Sequence, residues 1–195
     1  MIQSLSRSGG LLALCLLAGC AASYNPLTID PATDLYATSS HLDPGGVLSF
    51  VTTTNPKQIP IVVLASEATS RPSLFEFKMR EVLAQVGANR VLNESEFSSL
   101  VTDRAMPGID NLSEMEMVRQ FSAQVAPVLL VKIRYGVYGS INQAELIVID
   151  GRDGRTLLHV NHAPFIWTDP ETETLFPVLN EMRRWFKASS KEPQA

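Results

Sequence analysis

The sequence predicts an α+β fold, an α/β sandwich in which helices pack on a mixed β-sheet. A continuous apolar run at 59–65 has the length of a strand buried on both faces. The residues after it carry apolar side chains at helical spacing. Further along, three strand-like segments are separated only by short turns. The predicted order over residues 59–188 is β-α-β-α-α-β-β-β-α, with the first two strands parallel and the last three antiparallel.

The first predicted strand holds Pro60 near its start, where a missing N–H is tolerated. A helix is expected to start within residues 70–73 and to end at Gly87, because glycine commonly follows the last residue of a helix. The residues expected on its buried side are Phe75, Met79, Val82, Leu83 and Val86. A short strand at 90–92 comes next.

Two capping boxes predict the starts of the next two helices. Asn93 with Glu96, and Ser113 with Glu116, each place a glutamate three residues after a capping side chain. A loop at 103–111 separates the two helices. The residues expected to face inward are Phe97, Leu100, Met115, Val118, Phe121 and Val125.

The three-strand meander begins with a strand whose side chains alternate in polarity. This strand, 128–135, places Lys132 and Arg134 on one face. Its other face is apolar, with Leu129, Val131, Ile133 and Tyr135. Two further strands, at 143–149 and 156–162, are joined by a turn rich in Asp and Gly.

The closing helix has Asp169 at its N-cap and Pro170 at its first position. Pro177 is expected to shift its start or to kink it. The residues expected on its buried side are Leu175, Val178, Leu179, Met182, Trp185 and Phe186. Residues 189–195 form a polar tail.

Residues 1–19 have the features of an export signal peptide. Arg7 is their only charged residue, and the apolar run at 11–16 is far shorter than the ~20 residues that span a bilayer. The segment 17–20, Leu-Ala-Gly-Cys, resembles the bacterial lipobox, in which small residues precede a cysteine that receives acyl chains. The resemblance implies that Cys20 becomes the lipidated first residue of the mature protein.

Acyl chains of the palmitate type on Cys20 would anchor the mature chain to a membrane. Ala21 follows the cysteine, whereas an aspartate there commonly signals inner-membrane retention, so the resemblance implies the periplasmic side of the outer membrane. Residues 20–58 are rich in Pro, Gly, Ser and Thr and predict a tether that reaches ~35 Å. One piece, 47–51, has strand composition and would dock on the domain or on a neighbouring subunit.

Composition and motifs exclude several functions. Without Arg7 the mature chain has 15 basic and 20 acidic residues, which gives no basic patch for nucleic acid. The two cysteines, Cys15 and Cys20, are removed and acylated, so no thiol remains for catalysis or for a disulfide. His159 and His162 are expected on opposite faces of a strand and cannot share a metal. No nucleotide-binding, hydrolase or zinc-protease motif occurs, so we expect no enzyme, cofactor or small-molecule substrate.

Three stretches, 60–65, 126–133 and 146–158, resemble strands of one known domain. It is the domain shared by the N-terminal part of TolB and by the lipoproteins CsgG, LpoB and PelC. The resemblance implies a TolB N-terminal-like fold over residues 59–188. The chain departs from the pattern at Ala65-Ser66, where the family has Pro-Phe. It also lacks loops long enough for membrane-crossing hairpins, whose strands each take ~9–11 residues.

Two functions are compatible with these features. The first is a non-catalytic lipoprotein that acts as accessory or scaffold for an envelope assembly in export, secretion or cell-wall synthesis. The second is a self-assembling ring at the outer membrane that serves a polysaccharide or protein secretion system. Lys132, Arg134, Val47 and Phe50 are the candidate interface residues.

Overall fold

The computed structural model describes residues 27–104, 106, 112–138, 141–164 and 170–191. Its strands are β1 (Ile29–Asp30), β2 (Leu35–Tyr36), β3 (Val47–Phe50), β4 (Ile61–Ala68), β5 (Arg90–Asn93), β6 (Val128–Tyr138), β7 (Ile141–Asp150) and β8 (Thr156–His162). Its helices are α1 (Pro72–Gln85), α2 (Glu94–Asp103), α3 (Glu114–Gln124) and α4 (Pro170–Ser189), with a 3-10 turn at Pro56–Gln58.

The central element is a six-stranded mixed sheet in the order β3-β8-β7-β6-β4-β5. Strand β4 pairs in parallel with both β5 and β6, because helices join these strands. Strands β6, β7 and β8 form the antiparallel meander. The predicted α+β fold and its element order are confirmed, and β3 extends the sheet beyond the predicted strands.

The two faces of the sheet are covered unequally. Alternation along β4 points Val62 and Leu64 towards α1 and α4, and Ile61 and Val63 towards α2 and α3. Helices α1 and α4 together cover one face. Helices α2 and α3 pack mainly over β4, β5 and β6, so the other face of β7 and β8 is left partly exposed.

Most of the predicted core residues are buried. All five residues expected on the buried side of α1, and all six expected on α4, are at most 9% exposed. Val125 is an exception at 40% exposed, because it follows Gln124, the last residue of α3, and leaves the helical stripe. Pro177 lies inside α4, whose start is not shifted by it. The predicted N-cap, Asp169, lies outside the described residues.

The predicted tether over 20–58 is largely folded. Residues 27–58 pack on the domain as an N-terminal arm, made of the β1–β2 hairpin, β3 and the 3-10 turn. The sequence indicated this docking at 47–51, which has strand composition. The structure confirms it there, because β3 pairs with β8. The proline, glycine and threonine content of the rest of the arm is typical of a random coil, but side chains of α4 bond to backbone groups of Asp34, Tyr36 and Ser39. Residues 20–26 lie outside the described part.

Asn180 fastens the arm to α4. Its Oδ1 accepts from the Tyr36 N–H at 2.7 Å, and its Nδ2 donates to the Tyr36 carbonyl at 3.0 Å. The side chain therefore bonds to the backbone as a neighbouring strand would. Arg183 adds a bond from its Nε to the Asp34 carbonyl at 2.9 Å, and the Trp185 indole N–H donates to the Val51 carbonyl at 2.7 Å. The arm is thus held along the length of α4.

We predict that Asn180→Ala lowers the free energy of unfolding by about 2–3 kcal/mol. The substitution leaves two buried backbone groups without partners, and each such group costs roughly 1–3 kcal/mol. Urea unfolding of the mature protein, followed by the fluorescence of buried Trp185, measures the change. Ser99→Ala, which removes an exposed helical hydroxyl, should change stability by less than ~0.5 kcal/mol. Equal stability of Asn180→Ala and Ser99→Ala would contradict the role given to Asn180.

Candidate interaction surface

Two rows of side chains cross the partly uncovered face of the sheet. In the first row Lys132 of β6 lies opposite Ile147 of β7, which lies opposite His159 of β8. In the second row Arg134 lies between Glu67 of β4 and Glu145 of β7. We call the surface formed by Glu67, Lys132, Arg134, Glu145 and His159 the open face. The predicted placement of Lys132 and Arg134 on one face of β6 is confirmed.

Ion pairs connect the members of the open face. Arg134 Nε lies 3.1 Å from a Glu67 oxygen, and its Nη1 lies 3.6 Å from a Glu145 oxygen. His159 Nε2 is 3.0 Å from Glu145. Arg134 and Glu67 are 65% and 71% exposed, so their pair adds little to stability, since exposed pairs contribute roughly 0–1 kcal/mol. Such charges are better suited to selecting a partner than to holding the fold.

A carboxyl with a raised pKa, that of Glu94, lies at the border between the open face and the helices. Burial raises the pKa of Glu94, and the charge of Glu114 and a hydrogen bond between the two carboxyls raise it further. Glu114 pairs with Lys132 through its Oε2, whereas its Oε1 is fully buried and has no other donor. Glu94 can donate to that oxygen when it is protonated. A cavity of about 260 Å³ lies beside this pair and is lined by both carboxylates and by Lys132.

The other two candidate interface residues lie elsewhere. Val47 pairs with Val160 and Phe50 with Leu158, so both belong to the face that α1 and α4 cover. Strand β3 is three strands away from β6, about 14 Å at ~4.8 Å per strand. The structure therefore separates the predicted interface into the open face and the edge strand β3.

The predicted separation of the two histidines is confirmed. His159 is partly exposed on the open face, whereas His162 points into the core at 3% exposed. Burial lowers the pKa of His162, and the Glu173 carbonyl and Asp43 oppose that shift.

Within the described segments, no group of three or more His, Cys, Asp or Glu side chains is arranged to hold a metal. Among these same residues no helix is both long and apolar enough to cross a membrane.

The carboxylates of the open face were not predicted from the sequence. Glu114, which borders the open face, has only the local signal of a carboxylate in the first turn of a helix, where it stabilises the helix dipole. Glu67 lies beyond the predicted first strand, which ended at Ala65, whereas β4 continues to Ala68. Alternation within 143–149 would have placed Glu145 on the same face as Ile147, and pairing with β6 would have brought it to Arg134. The predicted lipidation site, Cys20, lies outside the described residues.

Comparison with known proteins gives structural neighbours only. No family model matches the chain, and no curated protein matches it. The LpoB C-terminal domain from Salmonella enterica is 12% identical, with a TM-score of 0.38 over 58% of this chain and 85% of that one. Lipoprotein GNA1162 from Neisseria meningitidis is 12% identical, with a TM-score of 0.37 over 68% and 99%. The PelC dodecamer from Paraburkholderia phytofirmans is 13% identical, with a TM-score of 0.41 over 75% and 98%.

LpoB and PelC, two of the proteins named in the predicted resemblance, are among these structural neighbours.

We predict that Glu94→Gln makes stability less dependent on pH. The raised pKa of Glu94 means that the folded state holds a proton which the unfolded chain releases near pH 4.5. Wild-type stability should therefore contain a component that falls as pH rises from 4.5 through the folded-state pKa. Urea unfolding of Glu94→Gln and of the wild type at several pH values measures the contribution of Glu94 to stability. The contribution of His162 is present in both proteins and cancels in the comparison. Glu116→Gln, the same change on a carboxylate that is 43% exposed, is the control. A Glu94→Gln curve parallel to the wild-type curve would contradict the shared proton.

Proposed function

We propose that this chain is a lipid-anchored, non-catalytic interaction domain of the bacterial envelope. It acts as an accessory or scaffold and binds an envelope protein through the open face. The observation that carries the proposal is the unequal covering of the sheet. One face is sealed by two helices and the arm, while the other presents registered charges from three strands.

The charges of the open face favour a polar protein partner. Glu67 and Arg134 are more than half exposed, whereas Glu145, Lys132 and His159 are partly buried around Ile147. A partly exposed apolar residue inside a charged rim is the usual composition of a non-obligate interface. The ion pairs already formed can be exchanged for pairs with a partner, which gives specificity rather than great affinity.

The lipobox supports the location. If Cys20 is acylated, the seven residues to Leu27 can span at most ~25 Å even when fully extended. Because the arm is folded, the reach from Cys20 to the domain is shorter than the ~35 Å expected of a flexible tether over 20–58. The domain would work within about one domain diameter of the outer membrane, on the periplasmic side. A partner would therefore be an envelope protein close to that membrane.

A photo-crosslinking residue in place of Arg134 tests this function in intact cells. We expect a discrete adduct with an envelope protein, because position 134 lies at the centre of the open face. The same residue in place of Arg119, which is 52% exposed on α3, is the matched control and should give no such adduct. Cys20→Ala should move the chain from the membrane fraction to the soluble periplasm and weaken the adduct. No adduct above background at position 134, or equal adducts at both positions, would contradict the proposal.

A second candidate function is a self-assembling ring that serves secretion at the outer membrane. The observation in its favour is the exposure of Val47 and Phe50, at 38% and 41%, on an edge strand. A ring needs head-to-tail contacts between two different surfaces of the chain. A mature chain that stays monomeric at high concentration would exclude it.

A further inference from the structure

The sheet has two edges, and they differ in the side chains that protect them from pairing with another strand. Strands β5 and β3 lie at the two ends of the strand order. The outer side of an edge strand carries backbone groups that can pair with another chain, and proteins usually protect such edges with charges or covering groups.

The β5 edge is protected by side chains of its own domain. Arg80 Nη1 donates to the Val91 carbonyl at 3.3 Å. The guanidinium is held there by Glu76 at 3.0 Å and by Glu96 at 2.6 Å. Asn93, at the end of β5, donates to the same Glu76. An approaching strand would therefore have to displace a network of charges.

Strand β3 supplies no charge of its own to protect its edge. Residues 44–56 contain no charged side chain. Val47, Leu48 and Phe50 are 38%, 59% and 41% exposed, and they are half of the large apolar residues that are exposed in the described parts of the chain. A bulge lies between Val47 and Ser49, and the residue it adds is the apolar Leu48 rather than a charge.

The edge strand is also held in place before any partner arrives. Val51, which follows it, donates its N–H to the Leu157 carbonyl at 2.7 Å and accepts from the Trp185 indole N–H at 2.7 Å. At the other end, Asn161 donates to the Gly46 carbonyl at 2.8 Å. A strand fixed at both ends loses little conformational entropy on pairing.

We propose that β3 pairs in antiparallel fashion with β3 of a second copy of this chain, about a two-fold axis. The lack of charge argues for a second copy. In a two-fold pair every residue occurs twice, once on each side of the axis, so a charge in so short a strand would lie near its like-charged copy, which is destabilising. The uncharged segment 44–56 carries no such cost. This inference goes beyond the proposed function and does not rest on the open face. It also differs from a ring, because a two-fold pair closes on itself.

Sedimentation of the mature protein carrying Cys20→Ser tests the pairing. We expect a reversible dimer, whose dissociation constant rises at least about tenfold in Leu48→Lys or Phe50→Lys, because each change sets like charges close together across the axis. Phe77→Lys is the matched control, since Phe77 is apolar and 67% exposed on α1. It should leave the dimer intact. A monomer at all concentrations, or a dimer that Phe77→Lys disrupts and Phe50→Lys does not, would overturn the proposal.

Single cysteines give a second measurement that does not depend on the charged variants folding. The mature protein with Cys20→Ser has no thiol. Leu48→Cys should form a disulfide-linked dimer on mild oxidation, and Phe77→Cys should not. A larger assembly in which Leu48→Cys fails to crosslink to itself would favour head-to-tail contacts and would overturn the two-fold pairing. The crosslinking result at Arg134 is independent of this outcome, so the two proposals can fail separately.

Discussion

The attachment of the N-terminal arm to α4 is the interaction on which the rest of the structure depends. Asn180 bonds to both backbone groups of Tyr36, and Trp185 bonds to the Val51 carbonyl. These bonds turn a segment rich in proline and glycine into a part of the domain. They seal one face of the sheet and place β3 at its edge.

The covering of one face of the sheet determines which surface of the sheet a partner can reach. With α1, α4 and the arm on one side, the broad sheet surface that the described residues leave uncovered is the open face, where Arg134 lies between two glutamates. The same attachment places the uncharged strand β3 at the edge of the sheet, because β3 belongs to the arm. The two surfaces differ in chemistry, one charged and one apolar, and therefore suit different partners.

The sequence predicted the elements better than it predicted their arrangement. Apolar spacing and the capping box at Asn93 and Glu96 are local signals, and the structure confirms them. The attachment of the arm depends on residues about 140 positions apart, and a lone Asn180 on a helix gives no local sign that it will bind a distant backbone. The sequence predicted the residues of the open face only in part. Alternation placed Lys132 and Arg134 together, but Glu67 and Glu145 reach Arg134 only through strand pairing.

Hydrogen–deuterium exchange of the mature protein carrying Cys20→Ser tests the central claim most directly. If the arm is part of the fold, the amides of Tyr36 and Val51 should be protected to nearly the same degree as those of β6 and β7, because both are bonded to groups of the domain. Exchange across 27–58 at the rate of an unstructured chain, with β6 and β7 still protected, would contradict the account.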